Sequence, residues 1–202
     1  TGLVALVICL ASSSSVALAS EPLHAIAISA GGAYTCAVEP QGQAMCWGWN
    51  KFGQLGTSTL ADRSVPTPVR GLPDARTISA ATDFTCASRG SGQAACWGNN
   101  VLGTLGDGTT VSRRYPTAVR RLPDAGVIST NLFGACAVRL SGSAVCWGGG
   151  GAGLGNGFAF AQSRAPVRVK GLTGTASIAV GLFNDCALSD SGQVACWGLN
   201  DD

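Results

Sequence analysis

The chain has 202 residues with a formal net charge of +2, of which 46% are hydrophobic and 12% charged, and it contains 29 glycines and 8 prolines. A nearly neutral chain has no general electrostatic attraction to nucleic acid or to an anionic membrane. This apolar content excludes a disordered chain, and the frequent glycine excludes a protein that is helical throughout. The composition therefore indicates a globular protein rich in β structure, and it indicates no particular chemistry.

The N-terminal segment has the features of a secretory signal. Leu3–Ala11 is an apolar run, too short to cross a bilayer, which needs about 20 residues. It is followed by Ala17–Ala19, which offers small residues where a signal peptidase reads the chain. We therefore predict that residues 1–19 are a signal peptide whose start is missing. The alternatives are a lipid anchor at Cys9 and a buried N-terminal strand or helix.

The rest of the chain is organised around one repeated stretch. It begins at Cys36, reads C-x9-C-W-G, and recurs from Cys86, Cys136 and Cys186, always 50 residues apart. Self-similarity at a period of about 20–50 residues is typical of solenoids, propellers and other arrays. We predict that residues 25–202 are repeats, with copies at about 27–76, 77–126 and 127–176 and an incomplete copy at 177–202.

The spacing of the paired cysteines predicts disulfides. Zinc sites bring cysteines together at x2 to x4 spacing, so C-x9-C matches metal binding poorly and we predict no metal site. A hairpin with Gly42 at the left-handed position of a three-residue loop places Cys36 opposite Cys46. Opposed Cα atoms lie about 4.5 Å apart in a non-hydrogen-bonded pair, within disulfide range.

In an exported protein this geometry predicts four disulfides, one within each repeat. The predicted pairs are Cys36–Cys46, Cys86–Cys96, Cys136–Cys146 and Cys186–Cys196. The alternative is four pairs of small buried thiols in a reducing compartment.

Each repeat predicts four short strands. In the second copy they are expected at 77–80, 85–88, 93–97 and 116–120, the last an edge strand with Pro116 at its start. Both faces of the central hairpin carry small apolar residues, which predicts a sheet buried on both sides. Face-to-face packing of such sheets around an axis satisfies this need. We predict an all-β propeller of four-stranded antiparallel blades, with a stacked β-solenoid as the alternative.

The chain resembles the regulator of chromosome condensation repeat family in its secreted bacterial form. The resemblance rests on Ala30–Val38, Cys46–Asn50, Gly53–Gly56 and Pro66–Val69 and their equivalents in the later copies. It departs from the family pattern where Tyr34 replaces the usual His and where the third copy lacks the Gln of G-Q-L-G. The family closes as a seven-bladed ring, so about 3.5 to 4 copies imply a fragment of a longer propeller. A four-bladed ring is the alternative.

No catalytic constellation is visible in the repeats. The single histidine, His24, lies at their edge, and neither a P-loop nor a G-x-S-x-G motif occurs. We therefore expect no enzyme activity and no cofactor.

Three loops at equivalent positions differ in sequence while the surrounding repeat does not. They carry arginines and aromatics, which dominate interface energetics. The partner-binding candidates are Arg63, Arg113, Arg114, Tyr115, Phe158, Phe160 and Arg164. The alternative is that the two phenylalanines pack beneath their own loop and the arginines only solvate it.

These observations predict a non-catalytic protein, secreted or in the cell envelope, that binds a protein partner through its loops. The resemblance implies enzyme inhibition or an adhesion or scaffold role, since the family includes a secreted bacterial propeller that inhibits β-lactamase. We expect no nucleic-acid partner and no membrane insertion after signal cleavage, and further blades from a missing part of the chain. One alternative is guanine-nucleotide exchange on a small GTPase, the role of the family's namesake. Another is a structural spacer at the cell surface.

Overall fold

The computed structural model describes residues 23–149, 153–158 and 161–199. The predicted signal peptide, Cys9 and Phe160 lie outside these residues. The described residues form fifteen β-strands and no helix, and hence no helix long and apolar enough to cross a membrane. The strands are β1 Ala27–Ala30, β2 Tyr34–Val38, β3 Ala44–Gly48, β4 Arg63–Pro68, β5 Ala75–Ala80, β6 Phe84–Arg89, β7 Ala94–Gly98, β8 Arg113–Ala118, β9 Ala125–Thr130, β10 Gly134–Arg139, β11 Ala144–Gly148, β12 Ser163–Arg168, β13 Thr175–Val180, β14 Asn184–Ser189 and β15 Val194–Gly198.

Consecutive strands pair into antiparallel sheets. The first three sheets have four strands each, β1 to β4, β5 to β8 and β9 to β12, and the fourth has β13 to β15. This confirms the predicted all-β fold of four-stranded sheets. The predicted position of the fourth strand was wrong, because β8 runs from Arg113 to Ala118 and has Pro116 in its middle. Proline is tolerated there because β8 pairs on one side only, so its missing N–H is not needed.

The central hairpin of each repeat has the predicted register. Cys36 lies opposite Cys46 and Val38 opposite Ala44. Gly42 has φ +92°, and a Cβ there would lie 3.0 Å from the Pro73 carbonyl oxygen. All four cysteine pairs are disulfide-bonded, with Cα atoms 4.0–4.1 Å apart.

The sheets stack through two different faces. The disulfide face of a sheet carries its cysteine pair, and the opposite, tryptophan face carries the Trp that follows the second cysteine. At the first junction the disulfide face of sheet 1 packs against Ile78, Ala87 and Trp97 on the tryptophan face of sheet 2. The Trp97 indole N–H also donates to the Gln54 carbonyl at 2.7 Å. The next two junctions repeat this order of faces. The disulfide face of each sheet therefore covers the tryptophan face of the sheet that follows it in the chain.

A series of serines joins the first strands of neighbouring sheets. The Ser29 hydroxyl accepts from the Ala80 backbone N–H at 2.9 Å, and Ser79 accepts from Thr130 at 3.1 Å. Ser129 does the same for the fourth sheet. β1, β5, β9 and β13 therefore lie side by side around a common axis, with β4, β8 and β12 at the periphery. The side chains satisfy backbone groups of edge strands that would otherwise be open to pairing with other chains.

Candidate protein-binding face

Among the described residues, one end of the sheets gathers the short inner turns of the four repeats and the long loops of the first three. Each long loop starts with a backbone N–H that donates to the inner turn of its own sheet, as Asn99 does to Asp83 at 3.0 Å and Gly149 to Phe133 at 2.8 Å. We call this end the turn face. Its inner turns are residues 31–33, 81–83, 131–133 and 181–183, and its long loops follow β3, β7 and β11.

Each of the first two long loops is held in place by a buried asparagine of its own. The Asn100 side-chain amide donates to the Thr109 carbonyl at 3.2 Å and to that of Val111 at 3.1 Å. Its oxygen accepts from the Leu105 N–H at 2.9 Å. Asn50 makes the equivalent contacts in the first repeat. Because these buried groups are satisfied by one side chain, the loops form a defined platform in place of a flexible tether.

Two of the arginines proposed from the sequence are less exposed than the other candidates. Arg63 and Arg113 are half-buried at the first positions of β4 and β8. Arg113 pairs with Asp107 at 3.2 Å. Burial raises the pKa of Asp107, but hydrogen bonds from Thr109 and Arg113 outweigh it, so the pKa lies below its ordinary value. Arg113 is therefore committed to an intramolecular ion pair.

The other described candidates lie on the surface. Arg164 passes over Gly103 of the preceding sheet, where a Cβ would come within 3.0 Å of the Arg164 Cα. Arg114 crosses Gly53 in the same way, and Tyr115 is exposed beside it. The backbones of Arg114 and Arg164 thus contact the long loop of the preceding sheet, while their side chains are exposed to solvent. Phe158 does not pack beneath its loop: its ring is exposed, with the Lys170 ammonium 5.5 Å from its centroid.

The structure adds an apolar cluster that the sequence reading missed. It consists of Leu132, Phe133, Leu182 and Phe183, from the inner turns of the third and fourth repeats. Leu132, Leu182 and Phe183 are 43–48% exposed, and the rings of Phe133 and Phe183 lie 6.3 Å apart. Leu-Phe recurs here at a 50-residue step, whereas the first two repeats have Gly-Ala and Thr-Asp. This difference between the repeats is the feature of the sequence from which the apolar cluster could have been predicted.

Local hydrogen bonds hold the apolar cluster in place. The Asn131 side-chain oxygen accepts from the N–H groups of Phe133 and Gly134, both at 2.8 Å, and this Asx turn presents Leu132 to solvent. Leu102, from the preceding long loop, reaches toward Gly149, where a Cβ would lie 3.2 Å from its Cδ1. The apolar surface therefore continues across three sheets, and local hydrogen bonds hold its central turn.

Sheets that stack by opposite faces around an axis lined by their first strands are the blades of a β-propeller. The regulator of chromosome condensation (RCC1) repeat family matches the sequence at residues 41–88, and a second description of the same repeat matches residues 25–54. Residues 25–88 of the chain are therefore similar to this repeat family.

Relatives share the fold at low identity. The chain is 33% identical over 58 residues to the mitochondrial RCC1 domain-containing protein RUG3 of Arabidopsis thaliana, covering 29% of this chain and 13% of RUG3. Human WBSCR16 superimposes with a TM-score of 0.75 at 22% identity, over 86% of this chain and 47% of that structure. Prp20p of Saccharomyces cerevisiae gives 0.71 at 22% identity, over 86% and 44%. The chain thus spans less than half the length of these proteins.

Proposed function

We propose that this chain is an exported, non-catalytic propeller that binds a protein partner through its turn face, with the apolar cluster at the centre of the contact. The observation that carries the proposal is that the exposed side chains of Leu132, Leu182 and Phe183 lie beside Phe133, whose turn is held by the Asn131 side chain. Contiguous exposed apolar surface is typical of protein interaction sites. Rigid aromatic anchors lose little conformational freedom when they bind.

Charge around the apolar cluster indicates what the partner offers. Arg164 lies over Gly103, and the adjacent Leu102 extends toward the Phe133 turn, so an exposed arginine side chain begins beside the apolar surface. Arg114 occupies the equivalent position one sheet earlier. A matching partner presents an apolar patch with carboxylates on its rim, which would speed encounter and orient the complex.

The disulfides support an oxidising location. Four bonded pairs in one small protein are typical of secreted or envelope proteins and rare in the cytosol. Prp20p, whose reported structure concerns binding to Gsp1p and histones, supports the general idea that this fold binds proteins. Guanine-nucleotide exchange is the second candidate function, and reduced cysteines together with an intracellular partner would favour it.

We expect the chain isolated from its native host to react with an alkylating reagent only after reduction. The intact mass after alkylation, with and without prior reduction, measures this directly. The chain is denatured before labelling so that buried thiols also react. Eight cysteines alkylated without a reductant would contradict export and bring the exchange-factor alternative forward.

We expect the oxidised chain, once immobilised, to capture a protein from the envelope or culture fraction of its host. Replacing both Leu182 and Phe183 by Ser should weaken binding of that protein by about tenfold or more, since anchors of this kind each carry about 1–2 kcal/mol. The matched control is Leu140→Ser, an exposed apolar residue on a hairpin at the other end of the sheet. Binding that is unchanged by the double variant, or equally weakened by the control, would contradict the proposed site.

A further inference from the structure

The junction between the third and fourth sheets departs from the first two at its centre. In the first two junctions a buried indole N–H donates to a backbone carbonyl in the long loop of the preceding sheet, from Trp97 at 2.7 Å and from Trp147 at 2.9 Å. The third long loop is one residue shorter here and reads Gly153-Leu154-Gly155, where the other two read G-x-L-G. The Trp197 indole N–H accordingly has no hydrogen-bond partner among the described residues.

A small cavity lies beside the shortened loop and is lined by an acidic side chain. Its volume is about 10 Å³, about the smallest that holds one water molecule. Asn131, Leu154, the bonded pair Cys136–Cys146 and Asp185 line it. Asp185 is 4% exposed, and its Oδ1 has no hydrogen-bond partner within the described part of the chain. The described residues of β10, β11, β13, β15 and the third long loop place no other charged or titratable side chain at the cavity.

The cavity adjoins the two inner turns that carry the apolar cluster. The Asn131 side-chain oxygen accepts from the Phe133 N–H, and its amide donates across the junction to the Gly181 carbonyl. Burial raises the pKa of Asp185, and the Gly181 backbone beside its carboxyl partly opposes this rise. Gly181 begins the turn that presents Phe183. The position of Phe183 against Phe133 therefore depends on the same junction that encloses Asp185.

We propose that Asp185 makes partner binding by the turn face sensitive to pH. When the carboxyl is protonated, the third junction is closed and the apolar cluster forms one surface. When it is ionised, the junction opens, because a buried charge without a partner is costly and opening lets water reach it. Phe183 then separates from Phe133, and the anchors no longer bind together. This inference rests on the proposed function of the turn face.

The direction of the effect follows from the two environments of the carboxyl. Burial raises the pKa of Asp185 to about 7 in the closed junction, and water restores the ordinary value of 3.8 in the open one. The balance therefore shifts toward the open form as the pH rises from about 4 to about 7, by at most roughly a thousandfold. The second and third sheets have Thr85 and Ala135 at the equivalent position, so this response is confined to the third of the described junctions.

Hydrogen exchange tests the junction without any partner. The Val180 N–H donates to Ser129 across the third junction at 3.2 Å, and the Ala80 N–H donates to Ser29 across the first at 2.9 Å. Between about pH 5 and pH 8 we expect the protection factor of Val180, which corrects for the intrinsic pH dependence of exchange, to fall by about tenfold or more. That of Ala80 should stay unchanged, which distinguishes opening of one junction from unfolding of the whole chain.

Replacing the carboxyl should abolish this response. Asp185→Asn and Asp185→Thr keep a polar side chain that carries no charge, and the second restores the residue type found at Thr85. We expect both variants to keep the Val180 protection at the higher pH. Asp190→Asn, on an exposed hairpin, should respond to pH as the natural chain does. Circular dichroism would verify that each variant is folded.

Binding of the captured host protein tests the link to the turn face. Between about pH 5 and pH 8 we expect the Kd of the natural chain, divided by that of Asp185→Asn, to rise by about threefold or more, because the observed affinity follows the closed fraction. The ratio cancels any titration of the host protein itself. A ratio that does not change with pH would refute the link to binding.

A Val180 protection factor that changes no more than that of Ala80, or a pH response that persists in Asp185→Asn, would overturn the proposal. The double replacement of Leu182 and Phe183 by Ser separates this proposal from the proposed function. If that variant binds the host protein as well as the natural chain at every pH, the proposed site is wrong, while hydrogen exchange still decides whether the junction opens.

Discussion

Replacing Trp97 by Ala should lower the free energy of unfolding by about 3–5 kcal/mol, the range for losing a large buried aromatic from a core. Trp97 is fully buried between the first and second sheets and packs in the cluster that includes Leu55 and Val69. Its indole N–H donates to the Gln54 carbonyl at 2.7 Å. Alanine removes the apolar contact and this hydrogen bond together, and the cavity lies where two blades meet.

Urea unfolding of the oxidised chain measures the effect, and Trp49→Ala is the matched control. Trp49 is half-buried on the turn face, where its ring meets only the edge of Phe52 among the described aromatics, with centroids 5.6 Å apart. We expect it to cost about 1 kcal/mol or less. Equal losses for the two variants would show that the face-to-face junction is not where the stability lies.

A second large effect is expected at Asp185, an acidic residue buried between the third and fourth sheets. In the second repeat the same position is Thr85, whose hydroxyl donates to the Gln54 carbonyl at 2.9 Å. A carboxyl group can donate in this way only when it is protonated. Among the described residues no hydrogen-bond partner reaches Oδ1 of Asp185, and Oδ2 lies 4.0 Å from the Cys136 sulfur.

Burial raises the pKa of Asp185 to about 7, although the Gly181 backbone and the Trp197 indole partly oppose the shift. The native pKa therefore lies above the ordinary value of 3.8. A group raised in this way contributes stability that is present below its unfolded pKa and is lost as the pH rises through the native pKa. The chain should thus become less stable between about pH 4 and pH 7.

Asp185→Asn should remove this loss. We expect the variant to be more stable than the natural chain at about pH 8, by about 1–3 kcal/mol, the cost of a buried polar group without a partner. At about pH 4 the two should be similar, because the natural side chain is then neutral in the native state. Urea unfolding at both pH values measures this, with Asp190→Asn on an exposed hairpin as the control. A variant that is less stable at the higher pH would refute the assignment.

The local features of the repeat were predictable because few residues determine them. The C-x9-C spacing and Gly42 set the hairpin register, since directly opposed cysteines and a left-handed turn residue allow one pairing. Small apolar residues on both sides of the hairpin indicated burial on both faces. The fourth strand was misplaced because Pro116 was taken as a strand boundary, a rule that holds for paired strands and is relaxed at an edge.

The candidate site was less predictable. From residue type alone, Arg113 and Arg164 were both predicted to bind a partner. In the structure Arg113 forms an ion pair with Asp107, whereas Arg164 lies over Gly103 of the preceding sheet and is exposed. The serines at the axis were missed for a related reason. Ser79 reads as an ordinary strand residue until the strand 50 positions further along is placed beside it.

The amino-acid sequence alone determined the repeat, the three inner strands of each sheet, the disulfide pairing and the resemblance to a propeller repeat family, because these depend on contacts within about 20 residues or on a pattern that recurs unchanged. Only the tertiary structure decided which face of each sheet covers the next and which arginines are exposed. It also brought Leu132 and Phe133 together with Leu182 and Phe183 on one surface. These properties arise between repeats, where residues 50 apart in the chain come into contact, and composition or spacing within a single repeat cannot show that approach.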